Sequence, residues 1–497
     1  MSRANFVGLI VGLIAVLALS SARADVRLPK VFGDNMVLQR NRAVPIWGWA
    51  DAGEKVTVTF GDQARTTTAT GKGTWSVALD SMTANREPEE LAVTGKNRIV
   101  VRNVLVGEVW ICAGQSNMEW TVRDSANFEE EIAAANDSEI RQIKIPHAHA
   151  IAPCDDISLA EWSVCSPTTV SDYTAVGYYF ARELRRSLGV PVGLLNITWH
   201  STRIEPWIPL EGLLAVSDLK TLASTVKAGE LETNLSNVDL TDPDHQQATR
   251  IYNAMIHPLV PFAIRGTIWY QGESNGGEGM SYYHKMRGLV EGWRGVWKQG
   301  DFPFLFAQLS TWQKSDPSNP EGGDGWAFFR EVQTRALKIS NTGMAVTIDI
   351  GSSPDIHPKN KQDVGVRLAR WALVPPLGNV TIPSGPLYRS HAIEEGKIRV
   401  SFQYAENGLI IGAKTGLEPV RAVDPGRPDA RLNCFSISGK DRKWYWADAT
   451  IDGGTVVVSS PHVPNPVAVR YAYTWTPEGA NLYNVDGLPA SPFHTDW

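Results

Sequence analysis

A chain of 497 residues is longer than one ordinary hydrophobic core organises, and it implies two or three domains. With 43% apolar and 20% charged residues it has the composition of a folded globular protein, which excludes a disordered chain. The formal net charge of -6 is mild and brings no basic surplus, so no nucleic-acid partner is expected. The 18 Trp residues are an unusual number: core filling in β-rich domains accounts for most of them, and sugar rings stack well on the rest.

In chain order, the first 24 residues read as a secretory signal peptide. Arg3 supplies a positive start, residues 6–19 an apolar stretch, and Ala22-Arg23-Ala24 a small-residue cleavage site. The apolar stretch is short for a spanning helix, which needs about 20 residues. No cysteine stands at the cleavage point to carry a lipid. The mature chain is therefore expected to start near Asp25, secreted or periplasmic, with no membrane association once the peptide is removed. Residues 25–105 alternate short apolar runs, such as VPIWGW at 44–49, with turn signals at Asp51-Ala-Gly, Gly61-Asp and Gly71-Lys-Gly, the rhythm of a small β-domain. From 106 to 375 the texture changes. Apolar strands over 109–112, 192–196, 266–269, 304–308 and 344–349 alternate with helical patterns. One helix covers about 175–188, burying Val176, Tyr179, Phe180 and Leu184 and exposing Arg182, Arg185 and Arg186; another starts near Lys361 and runs through Trp371. Such alternation implies a parallel sheet covered on both faces. From 380 to 497 the β rhythm returns.

Of the four cysteines, Cys154 and Cys165 flank Trp162 and form the candidate disulfide of an oxidising compartment, whereas Cys112 sits in an apolar run and reads as a buried thiol. His147-Ala-His149 offers two metal ligands but has no partner cluster nearby in sequence, so it reads as a loop exposing two histidines. Asn196-Ile-Thr198 fits a glycosylation pattern at a buried strand end, where use is not expected. The aromatic segment 443–446 reads as a β-domain core or edge, with sugar binding as the rival role.

Three segments carry candidate chemistry, each at the carboxyl end of an expected strand, where open parallel sheets assemble their sites. The first, VWICAGQSNMEW over 109–120, runs a buried strand into Gly114 and a polar turn that presents Ser116. It is not a G-x-S-x-G elbow, because Met118 stands where the second glycine belongs. The second, IWYQGESN over 268–275, ends in Gly272 and the amides Gln271 and Asn275, donors suited to a developing oxyanion. The third, over 349–361, places Asp355 two residues before His357, just ahead of the amphipathic helix; a carboxylate there can orient an imidazole that accepts a serine proton.

Together these blocks resemble the SGNH (GDSL-like) hydrolases, in their sialate O-acetylesterase-like branch of carbohydrate acetylesterases. The resemblance rests on GQSNMEW at 114–120, PVGLLNITWHSTRIEPW at 191–207, YNAMIHPLVPFAIRGTIWYQGESN at 252–275 and DIHPKNKQDVG at 355–365, and extends from about residue 28 to the C-terminus. It implies an α/β fold with a flavodoxin-like α/β/α core between β-rich, sandwich-like regions. It also implies hydrolysis of O-acetyl esters on sugars, with no metal and no organic cofactor. By position, Ser116 is the nucleophile and His357 the base; Asp355 is the favoured orienting carboxylate, with Asp349 in reserve and a Ser–His dyad as the third option. The oxyanion falls to the Ser116 backbone N–H and to the second and third blocks, with Gln271 and Gly272 ahead of Asn275; Ser201, Gln115 and Asn117 join as binding candidates. Glu273 either shapes the site or is an ion-paired structural acid. The sequence departs from the branch at His200 and Ser201, which replace two glycines and add side chains to the pocket, and at Pro354, where the family places its aspartate. The partner is thus an acetylated carbohydrate, either sialic acid or a plant polysaccharide such as xylan or xyloglucan. A non-catalytic carbohydrate-binding protein on the same fold is the alternative, ahead of a lipase or peptidase. The sequence leaves the oligomeric state open.

Overall fold

The computed structural model describes residues 25–229 and 243–496, apart from 425, 428 and 429; the leader expected over 1–24 lies outside the described residues. Strands β1 (Val37–Gln39), β2 (Val44–Trp49), β3 (Lys55–Phe60), β4 (Gln63–Thr68), β5 (Thr74–Leu79) and β6 (Asn85–Thr94) lead into β7 (Arg98–Gly114), a strand of 17 residues. Its first half pairs antiparallel with β6, from Arg98 against Thr94 to Val106 against Asn85. Its second half enters a parallel sheet, with β10 (Val192–Thr198) on one side and β11 (Gly266–Tyr270) on the other. The sheet continues through β8 (Ile140–Lys144) to β9 (Trp162–Val164) beyond β10, and through β12 (Phe304–Ala307) to β13 (Thr342–Ala345) beyond β11. Residue 105 thus lies inside one continuous strand.

Alternation along β7 sets the layers. Val109, Ile111 and Ala113 join the apolar cluster of Leu289, Trp293 and Trp297 on one face, while Trp110 and Cys112 join Val176, Phe180, Val364 and Leu368 on the other. The helices are α1 (Ser116–Glu119), α2 (Phe128–Ala134), α3 (Ala175–Leu188), α4 (Leu210–Ala215), α5 (Lys220–Ala228), α6 (Met280–Trp297), α7 (Gly325–Arg335) and α8 (Lys361–Ala372). Helix α3 starts at Thr174, whose side chain accepts from the Gly177 N–H, and stops at Gly189 with φ of +65°. Its buried stripe is Val176, Tyr179, Phe180 and Leu184, as the periodicity implies. No helix among the described residues is long and apolar enough to cross a membrane. After α8 the chain forms antiparallel β-structure, including Leu387–Glu394, Lys397–Gln403, Thr455–Ser459 and Asp448–Asp452 in one sheet. Arg330 of α7 joins this region to the core: its buried guanidinium donates to the carbonyls of Thr474 and Trp475, each at 2.8 Å.

Three local expectations are corrected. The strand expected over 344–349 stops at Ala345 because Arg367 takes the Val346 carbonyl at 2.7 Å and the Asp349 carboxylate, turning the chain out of the sheet. Arg185 is not solvated but tucked between Asp137 and Glu139 at 3.0 Å each. Cys154 and Cys165 are both free. Their backbones are tied elsewhere, Cys154 N–H to the Asn253 carbonyl at 2.8 Å and Cys165 N–H to that of Ile140 at 2.9 Å. Cys112 is buried, which pushes its thiol far above the usual range.

Gly114 closes β7 with φ of +138°, and a Cβ there would stand 2.2 Å from the Tyr270 carbonyl oxygen. An alanine forces the two strand ends apart and adopts a backbone that side chains avoid. We expect Gly114→Ala to cost about 1–3 kcal/mol or more and to lower the Tm by several degrees in a thermal melt; an unchanged Tm contradicts this tight approach.

Candidate active site

The close approach at Gly114 lets the Gln115 N–H donate to the Tyr270 carbonyl at 3.0 Å, and the next residue, Ser116, opens α1. The Ser116 hydroxyl lies 2.9 Å from His357 Nε2. His357 comes from the loop before α8, and its ring is stacked on Trp120, with centroids 4.8 Å apart and 16° between the planes. Asp355 curls back on this loop: its Oδ1 accepts the His357 backbone N–H at 2.8 Å and lies 3.5 Å from Nδ1. The Asp355 side chain is 43% exposed, so water screens its charge. Asp349, the reserve carboxylate, is occupied elsewhere: Arg367 grips both its oxygens at 2.6 and 2.7 Å, and the Tyr483 hydroxyl adds a third bond. Burial, then the nearby Lys361 cation, lowers the His357 pKa below its ordinary value, against the pull of Asp355. A hydroxyl on a neutral imidazole, opposed to a solvated carboxylate, is an arrangement that can activate a serine for acyl transfer.

Behind the pair lies a polar layer. Asn117 is buried; its Nδ2 donates to Glu273 and to the Ile356 carbonyl at 3.0 Å, while its Oδ1 accepts from Lys361 Nζ. Asn117 therefore ties the serine turn to the histidine loop. Burial brings the Lys361 ammonium down to about 7, with Glu273 and then Asp355 holding it up. Burial likewise raises the Glu273 carboxyl. Gln115 is a bridge as well, its Oε1 accepting the N–H groups of Gly272 at 3.3 Å and Ser274 at 3.2 Å.

The donors expected from the third segment are spent within the protein. Both hydrogens of the Gln271 amide are used, on the Thr202 carbonyl at 3.1 Å and Asn275 Oδ1 at 2.7 Å. The Gly272 N–H is given to Gln115, and Asn275 Nδ2 serves Glu205 and Glu278 at 3.0 Å each. These residues brace the loops. At the start of α1 a helix supplies no internal acceptor for its first N–H groups, so that of Ser116 can serve an oxyanion. Ser201 is exposed and holds φ of +57°, a left-handed turn that suits the glycine it replaces.

Sequence reasoning missed Lys361, Trp120 and Glu119. Lys361 was detectable, since it stands three before Val364 and seven before Leu368 on the buried stripe of α8. Glu119 was not, because its partners are distant in sequence: its carboxylate accepts from the His200 N–H at 2.7 Å and sits 2.9 Å from His147 Nε2. Burial tends to raise Glu119, but the His147 hydrogen bond and the charges of His147, Lys144 and His200 outweigh it and leave the carboxyl at about 2. The aromatic segment 443–446 lies apart from these residues; Trp446, 46% exposed, lines a cavity of about 270 Å³ with Asn319, Tyr473 and Glu478.

With its pKa brought to about 7, Lys361 is mostly protonated where the lowered His357 titrates, and its charge opposes a second positive charge on the ring. Removing it raises the His357 pKa. In Lys361→Met, NMR titration of the His357 ring is expected to place its midpoint above that of the wild type; an equal or lower midpoint excludes this coupling.

Residues 106–373 match the family model "Carbohydrate esterase, sialic acid-specific acetylesterase". The human sialate O-acetylesterase is 30% identical over 98% of this chain and 96% of its own length, and the rat enzyme is 31% identical over 98% and 97%. The crystal structure of a carbohydrate acetylesterase from Xanthomonas citri superposes with a TM-score of 0.82 at 36% identity, covering 95% of this chain and all of that one. The fold is accordingly the flavodoxin-like SGNH core with flanking β-rich regions. With likeness running along nearly the whole chain and through every loop that builds the site, this protein belongs to the carbohydrate esterase family of sialic acid-specific acetylesterases.

Proposed function

We propose that the protein releases acetate from O-acetylated sugars by a serine acyl-enzyme route. The observation that carries this reading is the 2.9 Å contact of the Ser116 hydroxyl with His357 Nε2, in a member of an acetylesterase family. Ser116 Oγ attacks the acetyl carbonyl carbon while His357 Nε2 takes its proton. The tetrahedral oxyanion draws on the Ser116 backbone N–H. Collapse breaks the bond to the sugar oxygen, which leaves with the proton from His357. Water, deprotonated by the same imidazole, then attacks the acetyl-serine, and acetate departs. Asp355 positions the imidazole through its 2.8 Å bond from the His357 backbone N–H and its 3.5 Å approach to the ring. The mammalian relatives' name supports O-acetylated sialic acid as the substrate, and the Xanthomonas citri enzyme supports acetylated carbohydrate more broadly. An acetylated plant polysaccharide such as xylan or xyloglucan is the other candidate within that class. His200 and Ser201, in place of glycines, narrow the rim and favour a discriminating site. An intact Ser116–His357 pair weighs against a purely binding role. We place the enzyme outside the cytoplasm on the leader read over 1–24, which predicts a secreted chain beginning at Asp25 by intact mass.

Acetate release from 4-nitrophenyl acetate and a panel of acetylated glycans tests the chemistry. Ser116→Ala should lower kcat at least about 10³-fold; retained activity, or no acetate from the wild type, refutes the mechanism. Asp355→Asn should cost only about 10–100-fold, because the carboxylate is solvated and 3.5 Å from the ring, whereas a buried triad aspartate is worth about 10⁴. The base must be neutral, so activity disappears as pH falls through the His357 pKa. That pKa is lowered, and the acid limb of kcat/KM should therefore have its midpoint below about 6.5.

A further inference from the structure

We infer that Glu119, His147 and His200 form a binding site for a divalent transition cation of the Zn²⁺ class, beside the nucleophile turn and separate from its chemistry. One ligand atom from each residue lies within 4.8 Å of the other two. The three come from the carboxyl ends of adjacent parallel strands: Glu119 follows β7 by way of α1, His200 follows β10 and His147 follows β8. Tetrahedral zinc with bonds of about 2.0–2.2 Å needs ligand atoms roughly 3.3–3.5 Å apart. Here Glu119 Oε1 is 2.9 Å from His147 Nε2, and Glu119 Oε2 is 3.3 Å from His200 Nδ1, so the carboxylate already stands beside each imidazole at close to that spacing.

The ligands are held in place before any ion arrives. The His147 ring lies flat on Trp199, with centroids 4.6 Å apart and planes at 3°, and His245 stacks on the same indole at 4.6 Å and 6°. The His200 backbone N–H donates to Glu119 at 2.7 Å and fixes the carboxylate. Two imidazoles with one carboxylate select Zn²⁺, Co²⁺, Ni²⁺ or Cu²⁺ over Mg²⁺ or Ca²⁺, which prefer oxygen donors. Both histidines are exposed, which leaves at least one coordination position for water or a sugar oxygen. The opposing charge is Lys144, whose ammonium is 3.7 Å from Glu119 Oε1 and whose side chain is 45% exposed; it can swing into water when a cation enters.

Calorimetric titration of the untagged full chain with Zn²⁺ tests the site, together with the visible d–d absorption of the Co²⁺ form. The expected result is one ion per chain, an affinity at least tenfold weaker in His200→Ala and in His147→Ala, and a several-fold tighter affinity in Lys144→Met. Should thermal melts show that an alanine variant is unfolded, His200→Gln and His147→Gln replace it. An absence of saturable binding, or equal affinity in wild type and both histidine variants, overturns the proposal. Tightening in Lys144→Met separates a cation site from a mere ion-pair cluster, since the cluster loses a partner and gains nothing.

Discussion

Strand β7 is shared by two sheets, and the position of Ser116 depends on that sharing. Its first half is paired with β6 and its second half is enclosed by β10 and β11. A slip of one residue would exchange Trp110 and Cys112 with Val109, Ile111 and Ala113 across the sheet, since side chains alternate in direction. Each large apolar side chain so misplaced forfeits about 1.5–3 kcal/mol of burial, and both faces lose at once. The register is therefore rigid, and Gly114 ends it against the Tyr270 carbonyl with no room for a side chain. Ser116 is thus placed by the packing of the whole sheet and not by its own short helix.

The second constraint is a buried polar layer that locks the loops to one another. Taking the Lys361 ammonium and the Glu273 carboxyl out of water is unfavourable, and burial moves both pKa values toward their neutral forms. Asn117 offsets this by standing between them, accepting from the lysine and donating to the carboxylate. Its remaining donor goes to the Ile356 carbonyl, beside the histidine. Loss of any one member leaves another buried group unpaired, a defect that costs more than the bond itself contributes. Gln115 does the same between the serine turn and the third loop, and Gln271 and Asn275 between the third loop and the chain after β10, at Thr202 and Ile204.

This layering explains what the sequence could and could not reveal. Helices α3 and α8 were legible because their apolar stripes are strong and capped, and β7, β10 and β11 because buried strands read as apolar runs. Ser116 and His357 were legible through the resemblance of their blocks to those of the SGNH acetylesterases. The roles of the amides were not: Gln271 and Asn275 look like free donors in a one-dimensional motif, and only the fold reveals the acceptors that consume them. Asp355 was favoured with Asp349 in reserve, and nothing in the sequence signalled that Arg367, 18 residues beyond Asp349, holds that carboxylate. His147 lacked partners in sequence because Glu119 and His200 reach it only through strand order.

The electrostatics of the pair then follow from exposure. A triad with a buried aspartate holds the imidazolium strongly, but here Asp355 is solvated and 3.5 Å from the ring, while Lys361 is buried and repels the same positive charge. A desolvated cation acts through less screening than a hydrated carboxylate does. The balance favours the neutral imidazole, the form that can accept the serine proton. It would give correspondingly little help to an imidazolium formed by the proposed proton transfer. A weakly stabilised imidazolium would be the stronger acid, and would pass its proton readily to the departing sugar oxygen, a poor leaving group as an alkoxide. The Trp120 ring, stacked on the imidazole face, maintains the alignment that the weak aspartate contact alone would not.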